Sequence, residues 1–209
     1  MKNKQSKYKK FWEWFEENCE VIFNLKNDFE INFNLLSNEL KKIDENLTFD
    51  FGSTINGKRE FIISANGIKK SFSSVENLYK EKFDFENFEI KKFRPRKNSD
   101  YVIQMENLTL SVKDCYFKIF KGEGKNDSKI DIVIYIKYRK EELKEEWKEK
   151  VKLYNQMILE LLEGILGEYD MKTKVGSIKK FYIEEPLVSS LPLNKLAEKF
   201  DIVYERINE

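Results

Sequence analysis

The sharpest local concentration of charge is the segment 91–97, where five cations surround one phenylalanine and one proline. The planar fork of arginine binds two phosphate oxygens at once, and an aromatic ring such as Phe93 can stack on a base. An exposed strand end kept in solution by charge is one competing interpretation, and pairing of the arginines with carboxylates of the protein itself is another. As a binding site, the segment would use Lys91, Lys92, Arg94, Arg96 and Lys97.

A second candidate is a set of carboxylates that follows a glycine. Glu168 and Asp170 come directly after Gly167, near the expected end of a long helix. Paired carboxylates bind hard divalent cations or divide the acid and base roles of a hydrolase. Such a hydrolase needs further carboxylates from other strands, and Asp131 and residues 184–185 are available. Because nothing in the spacing requires them to converge, a helix end followed by a turn accounts for the block, and we predict neither a metal nor a cofactor.

The chain contains no histidine. Histidine activates serine and cysteine nucleophiles and is the commonest protein ligand of transition metals. Ser-His-Asp catalysis, Cys-His catalysis and His-ligated zinc are therefore excluded. Cys115 has no histidine to activate it, and its place in an expected strand indicates packing, while Cys19 is expected in the core. Residues 122–124 lack the remainder of a phosphate-binding loop and indicate a hairpin loop.

Two tryptophans near the start of the chain are candidates for contact with a partner, because tryptophan is enriched at interaction hot spots. When residues are placed at 100° steps, Trp12 falls on the apolar arc of a helix with Phe11 and Phe15, which assigns it to the core. Trp14 lies near the edge of that arc. Trp14 is therefore the better candidate for an interface.

Composition bounds the class of protein. Hydrophobic residues make up 41% of the 209 residues and aromatic residues 14%, which argues against intrinsic disorder. The 38 basic and 37 acidic residues nearly cancel, so there is no global attraction to nucleic acid or to an anionic membrane. Acidic residues interrupt the first apolar segment, and no stretch approaches the length of a membrane span. We expect a cytoplasmic protein with no membrane partner, and the two cysteines agree with a reducing compartment.

Apolar periodicity predicts the elements that position these residues. In the first half we expect a helix over 11–25, a second helix over 29–43 capped by Asn27 or Asp28, strands over 47–51, 59–65 and 88–93, and a short helix that begins at the capping box of Ser73 and Glu76. In the second half we expect strands over 101–105, 108–112, 116–121, 130–138 and 176–183, a long helix over 143–165, and a final short helix with Pro192 in its first turn.

Both halves contain strand, strand, helix and strand in that order. Hairpins beside helices predict an α+β fold with mainly antiparallel sheet and helices packed on its faces. The segment 94–100 is the best candidate boundary between the halves. We assign 1–97 to an N-terminal α+β half and 98–209 to a C-terminal α+β half, with one continuous domain as the alternative.

Three blocks carry a resemblance to a known group of proteins. The chain has Phe-Trp-Glu-Trp-Phe at 11–15, Phe-Arg-Pro-Arg at 93–96 and Leu-Gly-Glu-Tyr-Asp at 166–170. With these blocks it resembles a family of bacterial proteins built on a domain of unknown function, which is sometimes found beside regulators of ribonuclease activity. The resemblance implies a non-catalytic, protein-binding role and supplies no catalytic residues.

These observations together predict a non-enzymatic protein that binds or regulates another protein, of the inhibitor or immunity type. Nucleic-acid binding through residues 91–97 is the alternative. A carboxylate-dependent, metal-dependent hydrolase is a third and weaker one.

Overall fold

The computed structural model describes residues 5–24, 29–97, 100–137 and 147–209. The chain forms two compact units, Met1–Arg94 and Pro95–Glu209. The boundary between them therefore lies inside the basic segment, slightly before the expected position after Lys97. In the described ranges no sheet contains strands of both units.

The helices of the first unit, over its described residues, are α1 (Lys7–Glu17), α2 (Cys19–Phe23), α3 (Phe29–Lys41) and α4 (Phe72–Lys80). The single helix expected over 11–25 is interrupted at Asn18, whose backbone N–H donates to the carbonyls of both Trp14 and Phe15. The Asn18 side chain also donates to the Trp14 carbonyl at 2.8 Å, and such local bonds compete with the regular helix. The expected caps at Asn27 and Asp28 lie outside the described residues.

The sheet of the first unit has the order β1-β2-β3, with β1 at Thr48–Ile55, β2 at Lys58–Ser64 and β3 at Phe88–Lys92. Strands β1 and β2 form an antiparallel hairpin. Its turn is Asn56-Gly57, where both residues have positive φ angles, as a tight hairpin requires. Strands β2 and β3 are parallel, so α4 serves as the crossover between them.

The predicted capping box at Ser73 and Glu76 is wrong. Helix α4 already begins at Phe72, and Ser71 at the N-cap position makes no side-chain capping bond. The Ser71 hydroxyl instead donates to Asp44 at 3.0 Å, and the Ser74 hydroxyl donates to the same carboxylate at 2.9 Å. Burial raises the pKa of Asp44, but the hydrogen bonds from Asn46, Ser74 and Ser71 outweigh it and lower the pKa below its usual value.

The core of the first unit is built from aromatic rings. Trp12, Phe15 and Phe61 are fully buried, and the Phe15 and Phe61 ring centroids lie 4.9 Å apart. The Trp12 indole N–H donates to the Leu78 carbonyl at 2.7 Å, which satisfies its one polar group. The assignment of Trp12 to the core is confirmed.

The second unit contains helices α5 (Trp147–Leu166), α6 (Glu168–Thr173) and α7 (Leu196–Asn208), together with strands β4 (Val102–Met105), β5 (Leu108–Ser111), β6 (Cys115–Lys121), β7 (Ile130–Lys137), β8 (Val175–Ile183) and β9 (Leu191–Pro192). The start of the long helix expected at Leu143 lies outside the described residues. Pro192 is not in the first turn of a helix, because it belongs to β9 and a 3₁₀ turn separates it from α7.

Strands β4 and β5 form a separate hairpin, and the larger sheet has the order β8-β7-β6-β9. Strand β6 is antiparallel to both β7 and β9, while β7 and β8 are parallel. Helices α5 and α6 lie in the connection between the two parallel strands. Each unit thus contains a hairpin, a helix and a third strand parallel to the second, and the predicted α+β class is confirmed.

One face of the larger sheet is covered by helices. Ile130, Ile132 and Ile134 are fully buried in one cluster with Leu161 of α5 and Phe200 of α7. Side chains alternate between the two faces of a strand, and the intervening residues of β7 are only half-buried. Among the described helices, none is long and apolar enough to cross a membrane.

Candidate functional site

The cations of the basic segment that belong to the first unit are engaged with carboxylates. Lys91 forms an ion pair with Glu60 on the neighbouring strand, and Lys92 lies 3.9 Å from a carboxylate of α4. The Arg94 guanidinium donates to Asp50 at 2.5 Å and to the Asn66 side chain at 3.1 Å. The interpretation in which Arg94 pairs with the protein's own carboxylates is the one the structure shows.

Arg96 and Lys97 belong to the second unit. The Arg96 guanidinium donates to both oxygens of Asp201 at 2.7 Å, to Asp170 at 2.7 Å and to the Leu166 carbonyl at 3.1 Å. The hydrogen bond that Arg96 donates lowers the pKa of Asp201, and the hydrogen bonds that Asp201 and Asp170 accept raise the pKa of Arg96. The Lys97 ammonium lies 5.5 Å from the centre of the Tyr101 ring.

Phe93 is not placed to stack on a base. Its side chain is only 4% exposed, and its ring centroid lies 4.6 Å from that of Phe72. Its φ angle of 59° belongs to the left-handed region, which bulky residues rarely occupy. This conformation ends β3 and turns the ring into the core, so the stacking role expected for Phe93 is wrong.

Trp14 lies where the helical arc placed it, at the edge of the core. It is half-buried, and its ring centroid is 6.1 Å from that of Phe11. Its role as a contact for a partner remains a prediction.

The carboxylates singled out from the sequence do not form a metal site. Glu168 is fully buried, whereas Asp170 pairs with Arg96 and with Lys174 at 2.8 Å. Asp131 accepts the backbone N–H of Ser177 at 2.7 Å. Within the described ranges, no group of three or more carboxylates and cysteines is arranged to hold a metal ion.

The two cysteines differ in their surroundings. Cys115 is fully buried in the core of the second unit, and burial raises the pKa of its thiol to about 12, so the expected packing role is confirmed. Cys19 is half-buried, and burial also raises its pKa. Cys19 therefore lies at the margin of the core.

Sequence reasoning missed a groove of about 320 Å³ at the outer edge of β6. Strand β7 pairs with β6 along its whole length, but β9 pairs only with Tyr116 and Phe117. The groove lies beside the rest of this edge, and Lys199 and Val203 of α7 also line it. Six of the side chains that line it are Phe117, Ile119, Phe120, Leu191, Lys199 and Val203.

Large apolar side chains are exposed around this groove. Phe120 is 52% exposed and Leu191 is 41% exposed, although both line the groove. Leu187 is 41% exposed and Val188 fully so, and they directly precede Ser189 at the groove wall. The alternation in the β6 sequence indicated a strand, but nothing in it showed that this strand lies near an edge.

Lysines lie beside the groove, and among the described residues they have no carboxylate partner. The Lys118 ammonium lies 5.9 Å from the centre of the Tyr135 ring. Lys118 and Lys199 line it, and Lys121 lies exposed at the end of the same strand edge. In the part of the chain that the structure describes, none of the three has a carboxylate within ion-pair distance. The groove therefore combines apolar walls with a positive rim.

Compared with known proteins, the chain matches no protein-family model, no curated protein and no solved structure.

Proposed function

We propose that this protein is a non-enzymatic binding protein that acts on another protein as a regulator or as an inhibitor of the immunity type. The observation that carries the proposal is the groove at the edge of β6. There, exposed apolar side chains, lysines and a short stretch of β6 that has no strand partner among the described residues lie together.

The exposed apolar side chains around the groove support a role in binding another protein. Single exposed apolar residues are ordinary on a protein surface, whereas a group around a concave site marks an interaction surface. Phe120 and Leu191 line the groove, and Leu187 and Val188 lie next to it in the chain. A partner that covers these four side chains removes apolar surface from water, and this stabilises the complex by about 25 cal/mol for each Å² buried.

The resemblance of the three sequence blocks to a family found beside ribonuclease regulators points to the same class of function. Nucleic-acid binding through residues 91–97 receives less support, because Lys91, Arg94 and Arg96 are held by carboxylates of their own unit. A nucleic acid would have to displace these ion pairs.

The test is an affinity capture from lysate of the source organism, with and without nuclease, read by mass spectrometry. The bait is used as the unaltered chain, as the groove variant Phe120→Ser/Leu191→Ser, and as the control variant Val21→Ser/Ile31→Ser. The control residues are exposed to a similar extent, 51% and 62%, but belong to the first unit.

We expect a stoichiometric protein that survives nuclease, is retained by the control variant and is lost with the groove variant. A partner that both variants retain would refute the groove as the binding surface. Recovery of nucleic acid, with all captured proteins lost after nuclease, would favour the alternative function.

A further inference from the structure

We infer that the partner binds by adding a β-strand to the free edge of β6, and that the added strand is an extended peptide that carries both apolar and acidic residues. This inference rests on the proposed function and specifies the chemistry of the partner at the same groove.

The edge of β6 offers backbone groups to such a strand. Strand β9 covers β6 only at Tyr116 and Phe117, so in the described residues the edge over 118–121 has no strand partner. In an antiparallel sheet, every second residue of a strand directs its N–H and C=O to the outer side. The free edge is therefore a template for another strand.

The chain itself turns away from this position. If β9 continued backwards from Leu191 in its antiparallel register, Ser190 would lie opposite Lys118 and Ser189 opposite Ile119. Instead, the backbone N–H of Ser190 donates to the Leu187 carbonyl at 2.9 Å and its hydroxyl donates to the same oxygen at 2.7 Å. This turn leaves the space beside residues 118–121 to the groove.

The groove also provides a place for the side chains of an added strand. Alternate side chains of a strand point to the same face, so every second residue of the peptide would point towards α7. The wall there is formed by Ile119, Leu191 and Val203. Apolar residues at these positions of the peptide would complete the packing.

Charge favours acidic residues on both faces of the added strand, because Lys118 and Lys121 point to opposite faces of β6. Lys118, Lys121 and Lys199 have no carboxylate partner within the described residues, whereas four of the five cations of the segment 91–97 are paired with carboxylates. A peptide with carboxylates would neutralise the lysines of the groove.

The same lysines argue against a second copy of this chain as the occupant. If two β6 edges paired antiparallel about a two-fold axis over 118–121, Lys118 and Lys121 of both copies would be brought to the same junction between strands. Lysines on an edge are a common device against edge-to-edge pairing, because their like charges repel.

The experiment uses a phage-displayed library of random twelve-residue peptides as the probe, selected against the full chain. Each enriched peptide is synthesised without modification and in two N-methylated forms. One form is methylated at the odd-numbered residues and the other at the even-numbered residues. Affinities are measured for the unaltered protein, for Lys118→Glu/Lys121→Glu, and for the matched control Lys113→Glu/Lys125→Glu. The control makes the same change in charge at exposed lysines away from the groove.

We expect the enriched peptides to combine apolar and acidic residues. Reversal of charge at Lys118 and Lys121 should weaken binding about tenfold or more, with little change in the control. N-methylation in one register should also weaken binding about tenfold or more, because it removes hydrogen bonds to the edge.

Four results would overturn the inference. They are the absence of any enriched peptide, peptides whose binding ignores the charge reversal, equal binding of the N-methylated forms, and a dimer in sedimentation that Phe120→Ser abolishes. Displacement of the peptide by single-stranded oligothymidylate at equal concentration would favour nucleic acid as the occupant. If strand addition fails while a captured protein still depends on Phe120 and Leu191, the proposed function stands without this mode of binding.

Discussion

Replacing Arg96 with alanine should destabilise the second unit. The Arg96 guanidinium connects the start of that unit to the Leu166 carbonyl at the end of α5, to Asp170 of α6 and to Asp201 of α7. Alanine removes all of these hydrogen bonds together. The perturbation therefore tests whether the basic segment serves the fold.

The magnitude follows from the exposure of the partners. The Asp170 side chain is 17% exposed, so its charge-assisted bond to Arg96 contributes at the lower end of the usual range, about 1.5 kcal/mol. The Asp201 side chain is 46% exposed, and solvent reduces that pair to below about 1 kcal/mol. Arg96→Ala should thus lower the free energy of unfolding by about 2 kcal/mol, which corresponds to about 8 °C in melting temperature for a unit of this size.

Calorimetry and hydrogen exchange of the α7 peptides measure the effect. Since Arg96 lowers the pKa of Asp201 in the folded state, the stabilisation is fully present above the unfolded value of about 3.9 and is lost as the pH falls through the folded pKa. The difference between the two proteins should therefore be constant from about pH 5 to 8 and should shrink below about pH 4.

Arg94→Ala is the matched control, because Arg94 lies in the same segment but pairs with Asp50 in the first unit. Its effect should appear in the exchange of β1 rather than of α7. An unchanged melting temperature in Arg96→Ala, or a difference that persists undiminished at pH 3, would refute the structural role assigned to Arg96.

Two further predictions concern the second unit and the thiols. Gly164→Ala should destabilise the second unit by more than about 1 kcal/mol in urea unfolding, because a Cβ there would overlap the Tyr101 hydroxyl; Leu159→Ala, at a 43% exposed position of the same helix, should change stability by less than half as much. Cys115 should resist iodoacetamide until the protein unfolds whereas Cys19 reacts slowly in the native state, and mass spectrometry showing equal labelling of both would contradict their burial.

The local sequence pattern was sufficient to predict the helices and strands whose buried faces are formed by residues close together in the chain. The apolar pattern of 130–138 predicted the strand β7, and the helical arc predicted the burial of Phe11, Trp12 and Phe15. The order of strand, strand, helix and strand in both units followed from the same periodicities. The parallel pairings of β2 with β3 and of β7 with β8 did not, because periodicity says nothing about strand direction.

Features that depend on distant residues could not be predicted. Arg96 and Asp201 are 105 residues apart, and no local signal pairs them. The capping box at Ser73 failed for a related reason, since Asp44 binds the hydroxyls of both Ser71 and Ser74. A hydroxyl that could cap a helix in isolation can bind elsewhere when a carboxylate distant in the sequence offers stronger hydrogen bonds.

The density of charge along a sequence is therefore a poor guide to charge that is free to bind a ligand. The segment 91–97 is the most basic stretch of the chain, yet Lys91, Arg94 and Arg96 are held by carboxylates. Lys118 and Lys121 lie three residues apart in an ordinary amphipathic strand, and only the short length of β9 leaves them beside an edge that has no strand partner among the described residues. Strand pairing joins residues that are distant in the sequence. The location of a surface that can still bind a partner therefore depends on which strand edges and charged side chains the fold leaves accessible.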